Sequence, residues 1–155
     1  MRDAGVRVGL GVDGSASNDV GNLMAETRQT MLLQRVAQGA DAMSAREALE
    51  IATRGGATVL GRDDCGQIVV GKRADIAIWD VSGIESAGSW DPAALVLAGP
   101  SKVKHLLVEG REIVRDGRIV TFDLPQMIAE QNRLARRLHD LLSVSYTHLT
   151  LPTKA

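Results

Sequence analysis

The segment VGLGVDGSASND, Val8 to Asp19, holds the residues whose types and spacing point most directly to chemistry. Gly9, Gly11 and Gly14 form a literal G-x-G-x-x-G, the spacing with which a glycine-rich turn lets the backbone approach a pyrophosphate. Asp13, between the second and third of these glycines, ends an apolar run. At the tip of a barrel strand, such a carboxylate can bind a cation through one oxygen and take a proton from metal-bound water with the other. It can equally do no more than start an Asp-Gly turn. Ser15, Ser17 and Asn18 could line the same site, or they could form the turn and cap the next helix. Capping is the preferred reading for Asn18.

The surrounding elements decide between the first two readings. VRVGLGVD is apolar or glycine at nearly every position and reads as a short buried strand of the parallel type. The polar loop GSASND follows, with Asn18 or Asp19 as N-cap. A helix is expected from about Val20 to Val36, with Leu23, Met24, Thr27, Met31 and Leu32 as its buried stripe. A dinucleotide site needs the helix to open at the last glycines and a second strand to follow. Here a six-residue loop intervenes and a second helix follows, so the phosphate reading fails on context.

Further along, SARE (Ser44 to Glu47) is a capping box. Its helix is expected to run to about Arg54, burying Ala48, Leu49, Ile51 and Ala52, with Gly55-Gly56 as the stop. One further helical turn should end at Gly61. The pattern then changes to antiparallel strands. Ile76–Trp79 is an apolar run after a turn at Gly71, and VKHLLVEGREIVRDGRIV is a meander with turns at Glu109-Gly110 and Asp116-Gly117. WDPAALVLAGP reads as a short surface helix or loop. A final helix begins at the Asp123 cap with Pro125 in its first turn, and its apolar face is Met127, Ile128, Gln131, Leu134, Leu138 and Leu141. From Val144 the sequence loses helical period and resembles a translated sequencing adapter, so 143–155, with His148, is set aside from the fold.

Composition bounds the rest. The 155 residues are 45% hydrophobic with net charge −1 and 3% aromatic, which argues against nucleic-acid and membrane partners. No apolar run approaches a membrane span. A single cysteine, Cys65, suits a reducing, cytoplasmic setting and reads as an inert, partly buried thiol. His105, His139 and His148 form no metal-binding spacing. His105 reads as an ordinary strand residue, His139 as exposed, and Arg133, Arg136 and Arg137 as a solvated face. A small nucleotide-binding or structural module remains the non-enzymatic alternative.

Taken together, GLGVDGSASND with AETRQTMLLQR resembles the last barrel strand and following helix of the amidohydrolase superfamily, in its chlorohydrolase and guanine-deaminase-like branch. SAREALEIATRGGATVLGRDDCGQIVVGKRADIAIWD resembles the passage into that superfamily's β-sandwich. Gly71, Lys72, Ala74, Asp75 and Asp80 match its G-K-x-A-D-x-x-x-x-D pattern, and VKHLLVEGREIVRDGRIVTFDLP resembles the closing hairpins. The resemblance covers nearly everything from Arg2 to Leu142.

It implies an α/β fold: the end of a (β/α)8 barrel over 1–60, a β-sandwich portion over 61–122 and a C-terminal helix over 123–142. It implies hydrolytic deamination of a small aminopurine such as 8-oxoguanine, with an s-triazine aminohydrolase as the alternative. The cofactor would be Zn²⁺ or Fe²⁺, and the whole enzyme a homo-oligomer. Asp13 would be both metal ligand and proton acceptor, with Ser15 and Ser17 near the substrate. The family's H-x-H pair, later histidines and acid–base glutamate have no match here. The chain is therefore expected to be the C-terminal third of a longer enzyme, inactive alone, with Met1 an internal methionine. Gly71 and Asp75 are expected to set turns and register.

Overall fold

The computed structural model describes residues 4–14, 17–18, 20–99 and 102–146. The chain divides into two compact units, Met1–Arg118 and Ile119–Ala155. Helices and an antiparallel sheet in succession make it α/β in the broad sense.

In the first unit, α1 (Leu23–Gln38) begins later than the sequence suggests. Asn22, not Asn18 or Asp19, is its N-cap: the backbone at Asn22 is extended and its side chain accepts from the N–H groups of Met24 and Ala25. Only part of the expected stripe is buried. Thr27 and Met31 face inward, whereas Leu23 and Leu32 remain exposed. The capping box at Ser44 is present in both directions and starts α2 (Ala45–Glu50). Met31, Ala48 and Leu97 form the core, flanked by Met24, Met43, Ala45 and Leu49. Leu97 comes from α4 (Pro92–Ala98), whose N-cap Asp91 also pairs with Arg46 at 2.7 Å.

Gly55-Gly56 does not stop the second helix. The chain continues through a π-helical turn, Ile51–Gly55, into α3 (Gly56–Val59), and terminates at Gly61 with φ +68°. Both glycines have ordinary right-handed helical angles. The role of Gly55 is space. A Cβ on Gly55 would stand 2.3 Å from the Val8 carbonyl oxygen, and a Cβ on Gly9 would stand 3.0 Å from Gly56 Cα. The segment expected as a strand thus lies directly on this helical backbone. It is not assigned as a strand: among the described residues 6–13 have no ladder partner. An extended chain becomes a strand only when a neighbour accepts its backbone bonds.

The sheet follows the meander reading, in the order β1 (Ile76–Asp80), β2 (Lys102–Val108), β3 (Arg111–Arg115), β4 (Arg118–Ile119). Ile78 faces His105 across β1 and β2, and Leu106 faces Val114 across β2 and β3, both pairs antiparallel. Glu109-Gly110 and Asp116-Gly117 all have positive φ, the paired left-handed geometry of two-residue hairpin turns. Asp75 accepts the Glu109 N–H at 2.7 Å and Ala74 accepts the Gly110 N–H at 3.0 Å. Asp75 thereby fixes where the β2–β3 hairpin sits beside β1, as its turn-setting assignment requires. Asp64 receives Arg62 (2.9 Å) and Arg73 (2.6 Å), and Arg73 also pairs with Glu109.

In the second unit, α5 (Leu124–Tyr146) is capped by Asp123, which accepts the Gln126 N–H at 3.0 Å. It runs past Leu142 into the part set aside as adapter-derived, because neither Gly nor Pro interrupts 143–146. Residues 147–155, His148 included, lie outside the described set. The expected apolar face of α5 exists by spacing but is exposed, with Leu138 and Leu141 more than 60% accessible. Arg133 is paired with Glu130 of the same helix at 2.6 Å.

Three outcomes are expected. Gly55→Ala should destabilise the chain by about 1–3 kcal/mol in urea unfolding, because the clashing atom is backbone and cannot swing away. Gly56→Ala, which meets nothing within 4 Å, should be neutral or gain up to about 1 kcal/mol of helix propensity. The Arg62 and Arg73 guanidiniums hold the Asp64 carboxyl well below the usual carboxylate range. Its folded pKa lies below its unfolded one, so its contribution is present above about pH 4 and is lost as pH falls below that range. Asp64→Asn should flatten the acid limb of a stability–pH curve, measured by circular dichroism, relative to the unsubstituted chain.

Candidate functional site

The site is built where the extended segment on Gly55-Gly56 gives way to the loop before α1. Asp13 takes up φ +61°, an angle that asparagine and aspartate tolerate better than other side chains. Its Oδ1 accepts the Gly14 N–H at 2.7 Å. The Gly14 carbonyl accepts the N–H groups of Ser17 and Asn18, each at 2.9 Å, which closes a tight turn. The Asp-Gly turn and the exposed carboxylate therefore coexist. The Asp13 side chain is exposed.

Asn18 is not the cap of α1. Its Nδ2 donates to the Val12 carbonyl at 2.8 Å and to Glu26 Oε1 at 2.9 Å, tying the residue before Asp13 to the first turn of α1. Ser17 is exposed on the same turn, and Ser15 lies outside the described residues. Glu26 had no signal of its own in the sequence. In the first turn of an amphipathic helix it reads as a dipole-complementing surface residue, and only the fold brings it to Asn18.

Three other titratable candidates, His105, Cys65 and His139, belong to other elements of the chain. His105 Nδ1 is 3.2 Å from Glu112 Oε1, and its Nε2 is 3.6 Å from Asp116. Arg115 first, and His105 second, lower the Glu112 carboxyl below its ordinary range. This is a cross-strand ion-pair cluster on the sheet. Cys65 is half-buried, and His139 is exposed. A cleft of about 420 Å³ is lined by Asn22, Met24, Arg28, Trp79, Leu97 and Gly99; its lining does not include Asp13.

Could these residues hold a metal? A catalytic zinc site takes three protein ligands and an open position. Among the described residues no three His, Cys, Asp or Glu side chains come together. Asp13 is a chemically suitable oxygen donor, but it is one donor of a set that these residues do not complete.

Comparison with known proteins places this geometry in context. The sequence model of the amidohydrolase family matches residues 1–113. The chain is 42% identical over 139 residues to 8-oxoguanine deaminase of Pseudomonas aeruginosa, covering 89% of this chain and 31% of that protein. It is similar to the zinc-complexed atrazine chlorohydrolase of Arthrobacter aurescens at 41% identity and TM-score 0.79, over 86% of this chain and 30% of that one. An adenosine deaminase of Xanthomonas campestris with bound zinc superposes with TM-score 0.83 at 29% identity, over 90% and 33% of the two chains. The chain thus spans about a third of the length of the proteins it matches. No helix among the described residues is long and apolar enough to cross a membrane.

Because Asp13 belongs to no group of three or more such donors among the described residues, zinc titration of this chain by calorimetry should show no saturable one-to-one binding. A stoichiometric complex would require a donor set that the described residues do not show.

Proposed function

The chain belongs to the amidohydrolase family, and on that basis we propose that it is the closing portion of a metal-dependent hydrolase that deaminates an aminopurine such as 8-oxoguanine. The observation that carries the reading is Asp13. A carboxylate stands exposed at the end of an apolar extended segment, with its backbone locked by a turn and one oxygen already engaged. In this reading residues 6–12 are the last strand of a (β/α)8 barrel, and the segment's seat on Gly55-Gly56 supports that placement. Asp13 would be one metal ligand, the others coming from outside this segment. Zinc, the ion named with two of the similar structures, lowers the pKa of bound water to about 7.

This chain's own contribution is proton handling. The Gly14 N–H orients the carboxylate through Oδ1, and Oδ2, which has no described hydrogen bond, takes the proton of the attacking water. A C–O bond forms at the amino-bearing ring carbon and the C–N bond breaks. The proton held at Asp13 is available to the departing nitrogen, which leaves as ammonia. Ser15 and Ser17, just beyond, are proposed to border the heterocycle.

The 41% identity to a triazine-directed enzyme favours one second reading, an s-triazine aminohydrolase. Both readings can be tested by joining this segment to the upstream two-thirds of the Pseudomonas relative. The first expects ammonia release from 8-oxoguanine, reduced about 10²–10⁴-fold by Asp13→Asn. Undiminished turnover in Asp13→Asn would remove Asp13 from the mechanism. Release of amine from a hydroxytriazine, with no reaction of the purine, would select the second reading.

A further inference from the structure

We infer that Asn18 and Glu26 are a positioning pair that sets the direction of the Asp13 carboxylate; this rests on the reading of Asp13 given above. The geometry is a three-point chain. Asn18 Nδ2 spends one N–H on the Val12 carbonyl and the other on Glu26 Oε1, at 2.8 and 2.9 Å. The Val12 carbonyl belongs to the peptide plane that leads into Asp13. The orientation of that plane and the +61° φ of Asp13 together decide where its Cβ aims. Left to itself, a non-glycine residue leaves this conformation readily, since the left-handed region is costly for side-chain-bearing residues.

The other end of the clamp is firm. Glu26 stands in the first turn of α1 next to Thr27, which is 1% exposed, and α1 anchors in the core through Met31. Neither end could be supplied by a generic loop residue. A primary amide offers two N–H donors on one nitrogen, and Asn18 uses both. An ionised aspartate of the same shape offers none and would face Glu26 with like charge. A glutamine at 26 keeps the Oε1 acceptor. The pair therefore predicts a pattern of substitutions that stability alone does not.

The first test uses this chain and nuclear magnetic resonance. The Gly14 amide, bonded to Asp13 Oδ1, reports the carboxylate's placement. Asn18→Asp should move the Gly14 resonance and leave that of Glu47, in the distant capping box, in place. Glu26→Gln should leave both, and Glu26→Ala should move Gly14. The second test uses the joined, zinc-loaded protein described above. Asn18→Asp should lower kcat about 10–100-fold, the range for groups that orient a metal ligand, with KM changed less than about twofold. Glu26→Gln should retain kcat. A Gly14 resonance unmoved by Asn18→Asp overturns the inference, as does a Glu26→Gln variant as impaired as Asn18→Asp. Full activity in Asp13→Asn would instead overturn the reading beneath it, whereas an inactive Asp13→Asn beside a fully active Asn18→Asp would overturn the clamp alone.

Discussion

The structure of the first unit depends on one close approach of backbone to backbone. Val8 and Gly9 lie against Gly55 and Gly56 so closely that a side chain at Gly55 would clash with the Val8 carbonyl and one at Gly9 would be tight against Gly56. Glycine is costly inside a helix, by roughly 1 kcal/mol relative to alanine. Here that cost is accepted next to a π-helical turn, a feature that often marks functional regions. The gain is positional: the extended segment is held against the helices, and Asp13 emerges at its end. Replacing Gly55 by a better helix former would improve local propensity and displace the segment that carries the carboxylate.

Around this contact, different interactions hold different parts. The helices α1, α2 and α4 meet on a small apolar centre of Met31, Ala48 and Leu97, held together chiefly by the removal of apolar surface from water. The strands are placed by polar geometry. Asp75 caps the β2–β3 hairpin, and Asp64 gathers two arginines at the approach to β1. These carboxylates are substantially exposed, so their value lies in fixing register more than in net free energy. Many large apolar side chains remain exposed, among them Val70, Ile84, Trp90 and Leu138.

The candidate site has the same character. Asp13 and Asn18 are each held by hydrogen bonds within the chain, yet no three metal-ligating side chains come together among the described residues. One carboxylate is presented and braced, in a segment that covers about a third of the family members it matches. Organisation without completeness is what a single strand tip of a larger ring of ligands would look like. On the proposed reading, the chemistry would be shared between this segment and others, while the aim of Asp13 would be set locally.

Features encoded over a few residues were legible from the sequence alone. The Ser44–Glu47 capping box, the two hairpin turns with their positive-φ residue pairs, the Asp123 cap and the turn-setting part of Asp75 follow from chemistry that acts within a turn or from a matched motif. The family likeness rested on the same kind of short, ordered motif. What failed depended on distance in the chain. Gly55-Gly56 read as a helix stop because glycine's commonest local use is termination, whereas its use here is to admit Val8, far away in sequence. The strand reading of residues 6–12 is a different case: a strand needs a partner's backbone, and the described residues supply none. Asn18 read as a cap, and Glu26 gave no signal, because their bond spans eight residues across a loop. The sequence by itself determined that a carboxylate follows an apolar run and precedes a helix. Only the tertiary structure decided what that run rests on and what holds the carboxylate in place, since both are contacts between residues that no local propensity connects.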